Sequence, residues 1–88
     1  MFSNANQGNG HHDSDRERNA YNLAFCELGL GWFWDSGIYA ELQAIVEPAG
    51  RIRSYAERYT PHLLSVYEPR FLADAIESTR ARFQSVLA

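Results

Sequence analysis

The chain has 88 residues, a formal net charge of −3 and 45% apolar residues. It is long enough for one small domain and too apolar to be wholly disordered. All eight basic residues are arginine; without a lysine amine there is neither Schiff-base chemistry nor a Walker phosphate loop. An acidic chain without a basic stripe argues against non-specific nucleic-acid binding.

Residues 1–13, MFSNANQGNGHHD, are polar and lack an apolar period. They bury too little surface to offset ordering entropy, so they are expected to form a disordered tail ahead of a helical domain at 14–88. Ser14 and Glu17 have capping-box spacing and predict the start of the first helix. Tyr21, Ala24, Phe25 and Leu28 then recur at helical spacing with Leu23 beside them. Gly29 and Gly31 end that helix near Leu28, since each costs about 1 kcal/mol in a helix interior. Trp32, Phe33 and Trp34 follow as an aromatic connection, expected to serve in packing or at an interface.

Asp35 or Ser36 can cap a second helix over 36–46, with Ile38, Leu42, Ile45 and Val46 on one side. Pro48 and Gly50 interrupt it. A third helix, 50–59, carries Ile52, Tyr55, Ala56 and Tyr59. Thr60 offers a capping hydroxyl before Pro61, which suits the first turn of a short fourth helix, 61–67. Pro69 opens the last, 69–87, with Leu72, Ala75, Ile76, Thr79, Phe83, Val86 and Leu87 as its apolar stripe. Arg80 and Arg82 sit near its C-terminus, where the macrodipole favours cations. The expected fold class is all-α, a small bundle of four to five helices with short connections.

No catalytic set assembles from these residues. Adjacent His11 and His12 in a polar tail lack the fixed geometry of a metal site. His62 with Glu57 or Glu68 does not match the Glu-x-x-His pattern of carboxylate-bridged centres in bundles, so no metal is expected. Cys26, in the middle of the first helix next to apolar neighbours such as Ala24 and Phe25, reads as an inert buried thiol; a lone cysteine makes no internal disulfide and suggests a reducing compartment. Arg51, Arg53 and Arg58 could clamp a phosphate or form a solvated face with neighbouring acids. No basic stretch followed by an apolar run opens the chain, and no run is long enough to span a bilayer. A cytoplasmic, non-membrane protein is the expectation.

One pattern covers nearly all of the domain. Arg18-x-Ala20-Tyr21-Asn22-x-Ala24-Phe25, Glu27-x-Gly29-Leu30-x-Trp32-x-Trp34-Asp35, Tyr39-x-x-Leu42 and Arg51-Ile52-x-x-Tyr55 occur in order, followed by Phe71-Leu72-x-x-Ala75-Ile76 and Thr79. Together they resemble the helical cap of CbbY-type phosphatases in the haloacid dehalogenase (HAD) superfamily. In that family the cap closes over a Rossmann-like core and selects a sugar phosphate. The core supplies a nucleophilic aspartate in Asp-x-Asp-Gly-Thr, a lysine and Mg²⁺-binding acids. No Asp-x-Asp-Gly-Thr occurs here. The family's Gly-Gly-Lys-Glu-Arg-Ile loop stands here as Glu47-Pro48-Ala49-Gly50-Arg51-Ile52, and its His-Arg pair as Glu17-Arg18.

The resemblance therefore implies Arg18, Asn22 and Arg51 as the remaining substrate-binding positions and no catalytic residue. The expected function is a stand-alone cap-like module without catalysis of its own, acting as an interaction or vestigial module. Alternatives are the specificity part of a split sugar-phosphate phosphatase and a binder of a small anionic metabolite. No cofactor is expected, except Mg²⁺ when a separate HAD core is present. The expected partners are a second copy of the chain or such a core.

Overall fold

The computed structural model describes the backbone of residues 2–87 and the side chains of residues 14–86. Four α-helices and one 3₁₀ turn follow one another: α1 (Phe2–Glu27), α2 (Ser36–Leu42), α3 (Pro48–Tyr59), the turn Pro61–Ser65, and α4 (Pro69–Leu87). No strand occurs among the described residues, and the chain is an all-α bundle as its periodicity predicts. α4 is the central packing partner, lying against both α1 and α3.

The Ser14–Glu17 box does not start α1, whose backbone is helical from Phe2. Once a packed segment has nucleated a helix, each further turn costs little, which lets it propagate past its capping signal. The side chains of residues 1–13, His11 and His12 among them, lie outside the described residues.

The end of α1 is as predicted, and its geometry supplies the reason. Gly29 adopts φ +70°. Its N–H donates to the Cys26 carbonyl at 3.1 Å, and the Leu30 N–H donates to the Phe25 carbonyl at 3.0 Å. This crossed pair of bonds is a Schellman cap, which requires the left-handed conformation at the residue after the helix. Leu30 then packs against the core beside Phe25.

Asp35, not Ser36, caps α2: its carboxylate accepts from the Ile38 N–H at 2.8 Å. α2 stops at Leu42 and does not continue to 46. Ile45 tucks partly into the core while Val46 is exposed; both belong to a turn, where helical spacing no longer describes them. α3 begins at Pro48, earlier than predicted, because proline suits the first helical position, where no N–H is required. The predicted helix over 61–67 shortens to a 3₁₀ turn. Thr60 makes no side-chain cap there, and its hydroxyl is buried without a protein partner.

Rings dominate the core. Trp34 is fully buried, with Tyr21 and Phe25 against it at ring-centroid distances of 4.8 and 4.9 Å. Trp32 meets Phe25 at 5.3 Å and Tyr55 at 4.9 Å. Ile52, Ala56, Leu72, Ala73 and Ile76 close the cluster from α3 and α4. Burying each large aromatic contributes about 2–3 kcal/mol, and favourable ring geometry adds roughly 1 kcal/mol per pair. Cys26 departs from its expected place: it is exposed. One residue advances a helix by about 100°, so the position after buried Phe25 is turned from the core.

Candidate functional site

Arg18, Asn22 and Arg51 come from two helices and gather at the loops flanking α2. Asn22 stands one residue beyond Tyr21 on α1, at the edge of the buried stripe. Its Nδ2 donates to the Trp34 carbonyl at 2.9 Å, and its Oδ1 accepts from the Trp34 N–H at 2.8 Å. One amide side chain thus satisfies both backbone groups of a residue in an irregular, buried segment, where secondary structure supplies no partner. Arg18 donates to the same Trp34 carbonyl at 3.4 Å and pairs with Asp15 at 3.5 Å.

Arg51 serves the other loop. Its Nε donates to the Ile45 carbonyl at 2.7 Å, and its guanidinium lies 4.0 Å from the Glu17 carboxylate. Glu17 also accepts from the Tyr39 hydroxyl. The approach of α3 to this loop depends on Gly50, where a Cβ would meet the Ile45 Cγ2 at 2.9 Å. A carboxylate on α1, a hydroxyl on α2 and a guanidinium on α3 therefore share one junction.

A second polar network, which the sequence reading did not find, joins α1 to α4. The Tyr21 hydroxyl donates to Glu77 at 2.5 Å, and Arg80 donates to Glu77 at 2.8 Å and to Gln84 at 2.6 Å. The Arg80 guanidinium also lies over the Tyr21 ring, 5.4 Å from its centroid. Burial, with the Glu77 carboxylate next, pushes the Tyr21 hydroxyl far above the usual phenol range. For Arg80 burial, the largest single effect, works against the charge, but the Glu77 hydrogen bond and the charges of Glu77, Tyr21 and Glu17 together outweigh it and strengthen the hold on the proton. The spacing of Glu77, Arg80 and Gln84 along one helix edge was the available signal. Such a spacing commonly marks a solvated face, and only the tertiary contact with Tyr21 distinguishes it.

The remaining candidates are not brought together. Arg53 pairs with Glu57 at 3.4 Å and Arg58 with Glu41 at 3.5 Å, both at the surface, while Arg51 turns toward Ile45. The aromatic triplet divides by its extended backbone: Trp32 and Trp34 enter the core, and Phe33 between them is 63% exposed. No group of three or more His, Cys, Asp or Glu side chains able to hold a metal ion occurs among the described residues. No helix of the described residues is long and apolar enough to cross a membrane.

A cleft of about 200 Å³ opens at the start of α3, lined by Glu47, Ala49, Gly50, Arg53, Pro69 and Arg70. It lies beside the Glu47–Ile52 segment. Here the Glu47 carboxylate stands among its walls, and an anion would meet that charge as well as the two guanidinium groups.

No family model matches the chain, and no solved structure matches it. Among curated proteins it is similar to "Protein CbbY, plasmid" of Cupriavidus necator, with 29% identity over 63 residues. The aligned region takes up 72% of this chain and 25% of that protein, so the chain spans about a quarter of the length of its curated relative. The alignment supports a distant, HAD-related resemblance to CbbY.

Proposed function

We propose that this chain is a cap-like helical module, an interaction or vestigial module, that does not itself carry out phosphoryl transfer. One observation carries the reading most directly. The side chains that the resemblance would offer to a substrate are engaged on the module's own loops, Asn22 and Arg18 at Trp34 and Arg51 at Ile45. A side chain whose hydrogen bonds hold its own backbone is a scaffold element, and releasing it to a ligand would expose unpaired buried groups. The lack of lysine and of an Asp-x-Asp-Gly-Thr motif supports the same reading.

The test is turnover by the purified chain with Mg²⁺ and a panel of sugar phosphates. The expected result is none above a blank prepared identically. Turnover that follows the protein through purification and is lost in Glu17→Gln or Asp35→Asn would overturn the proposal.

A second reading rests on the resemblance to CbbY itself. There this segment would act as a specificity lid over a HAD core. In that arrangement the core would hold Mg²⁺ and the nucleophile, and this module would exclude water and select the substrate. Mixing the chain with a HAD core lacking its own cap should then raise sugar-phosphate turnover. Unchanged turnover across a broad range of mixing ratios would sink this second reading.

A further inference from the structure

The groups at the Glu17 junction are unevenly matched. Glu17 on α1 accepts from the Tyr39 hydroxyl of α2 and stands 4.0 Å from the Arg51 guanidinium of α3. The Arg51 side chain is only 14% exposed. A guanidinium so far withdrawn from water needs a counter-charge and hydrogen-bond acceptors. Glu17 supplies the counter-charge. The Ile45 carbonyl satisfies Nε–H, but at 4.0 Å the carboxylate lies beyond hydrogen-bond reach of the terminal nitrogens. Those nitrogens make no hydrogen bond among the described residues.

α4 adds a second cation to this side of the bundle. The Glu17 charge is felt at Arg80 and at the Tyr21 hydroxyl. The Arg80 Nε–H is buried without a partner among the described residues. Glu77 is already held closely, by Tyr21 and Arg80. Glu17 is therefore the carboxylate that faces donors it does not fully engage. A free oxyanion, not tethered to α1, could close to about 2.8 Å on the terminal nitrogens of Arg51. It would leave the Nε bond to Ile45 in place, so the loop need not be released. What stands in its way is the like charge of Glu17.

We infer that the junction of α1, α2 and α3 is an oxyanion site, for a ligand of the class of inorganic phosphate, kept shut by the chain's own Glu17 carboxylate. This rests on the reading of the module as one whose ligand-facing side chains are engaged internally, and it names the group that keeps Arg51 from a ligand. The cleft at Glu47 is a poorer receptor, because Arg53 and Arg70 are exposed there and an exposed guanidinium holds an anion weakly in water.

Isothermal titration calorimetry with inorganic phosphate, against chloride at matched ionic strength, tests this, with circular dichroism confirming each fold. Glu17→Gln keeps an acceptor for the Tyr39 hydroxyl and removes the charge. It should bind phosphate about tenfold more tightly than the native chain, or better, because the like charge beside the anion is gone. In that background Arg51→Met should abolish the gain, whereas Arg53→Met, on the Glu47 cleft, should leave it. Equal phosphate binding by the native chain and Glu17→Gln would overturn the inference, whatever becomes of the Arg51 variant. So would a gain that survives Arg51→Met. If Glu17→Gln does not fold, Glu17→Ala takes its place; failure of both to fold makes Glu17 a structural group alone and overturns the inference as well. The cap reading is decided separately, by the turnover assay on the native chain.

Discussion

Replacing Asn22 with alanine tests whether this residue is a scaffold element. In the native chain the Asn22 amide makes two hydrogen bonds, 2.8 and 2.9 Å long, to the N–H and C=O of Trp34. Each such bond contributes about 1 kcal/mol net, and a buried backbone group left unpaired costs about 1–3 kcal/mol. Arg18, at 3.4 Å, can still reach the Trp34 carbonyl; the N–H has no such substitute. The expected loss is therefore about 2–4 kcal/mol. A domain of this size has roughly 5–10 kcal/mol of stability in total, and each kcal/mol moves Tm by about 4–8 °C. Thermal and urea melts followed by far-ultraviolet circular dichroism should place Asn22→Ala at least 8 °C (about 2 kcal/mol) below the native chain. Asn22→Asp keeps an acceptor for the N–H but sets a carboxylate oxygen against the Trp34 carbonyl, and should also fall, by a comparable or smaller amount. If Asn22→Ala melts within about 0.5 kcal/mol of the native protein, the loop does not depend on this side chain, and its place as a ligand-facing residue reopens.

Further expectations concern the glycines and the buried tyrosine. Gly50→Ala should cost about 1–2 kcal/mol despite alanine's better helix propensity, since its Cβ would press on the Ile45 methyl; Ile45→Ala in the same chain should recover part of that loss in the urea midpoint. Gly29→Ala meets no neighbour but keeps φ +70°, and should lose about 1 kcal/mol through backbone strain alone, readable in the same melts. The Tyr21 hydroxyl ionises at higher pH when folded than when unfolded, so folded chains hold its proton longer and stability falls as pH climbs above about 10. Melts from pH 8 to 11.5 should show this decline, and Tyr21→Phe should flatten it while costing about 1–2 kcal/mol at neutral pH; a decline identical in both chains would assign it elsewhere.

Much of the fold was legible because local chemistry and tertiary packing agree. Gly29, Asp35, Pro61 and Pro69 each stand where an element ends or begins, and each acts through its own backbone or capping group. The misses come from positions decided by contacts distant in sequence. Ile45 continues the period of α2 yet belongs to a turn, held by Arg51 from the next helix. Thr60 has a capping side chain, but φ −141° and burial leave the hydroxyl without a helix amide to accept from. At the candidate site, residue identities were readable and their tasks were not. That Asn22 serves Trp34 follows from an extended strand of chain folding back across α1, which no local spacing encodes. The Tyr21–Glu77 bond joins residues from opposite ends of the domain for the same reason.

The alternation at Trp32, Phe33 and Trp34 has an optical consequence. Both indoles sit inside one ring cluster, 6% and 0% exposed, and they are the chain's two tryptophans. Their emission reports a dry, rigid interior: blue-shifted while the bundle is closed and red-shifted once water enters. An anion settling among surface arginines would leave that colour unchanged, whereas loosening of the loop between α1 and α2 would alter it at once. Intrinsic fluorescence is thus a gauge of core integrity in this protein, and ligand capture calls for calorimetry or a label on exposed Cys26.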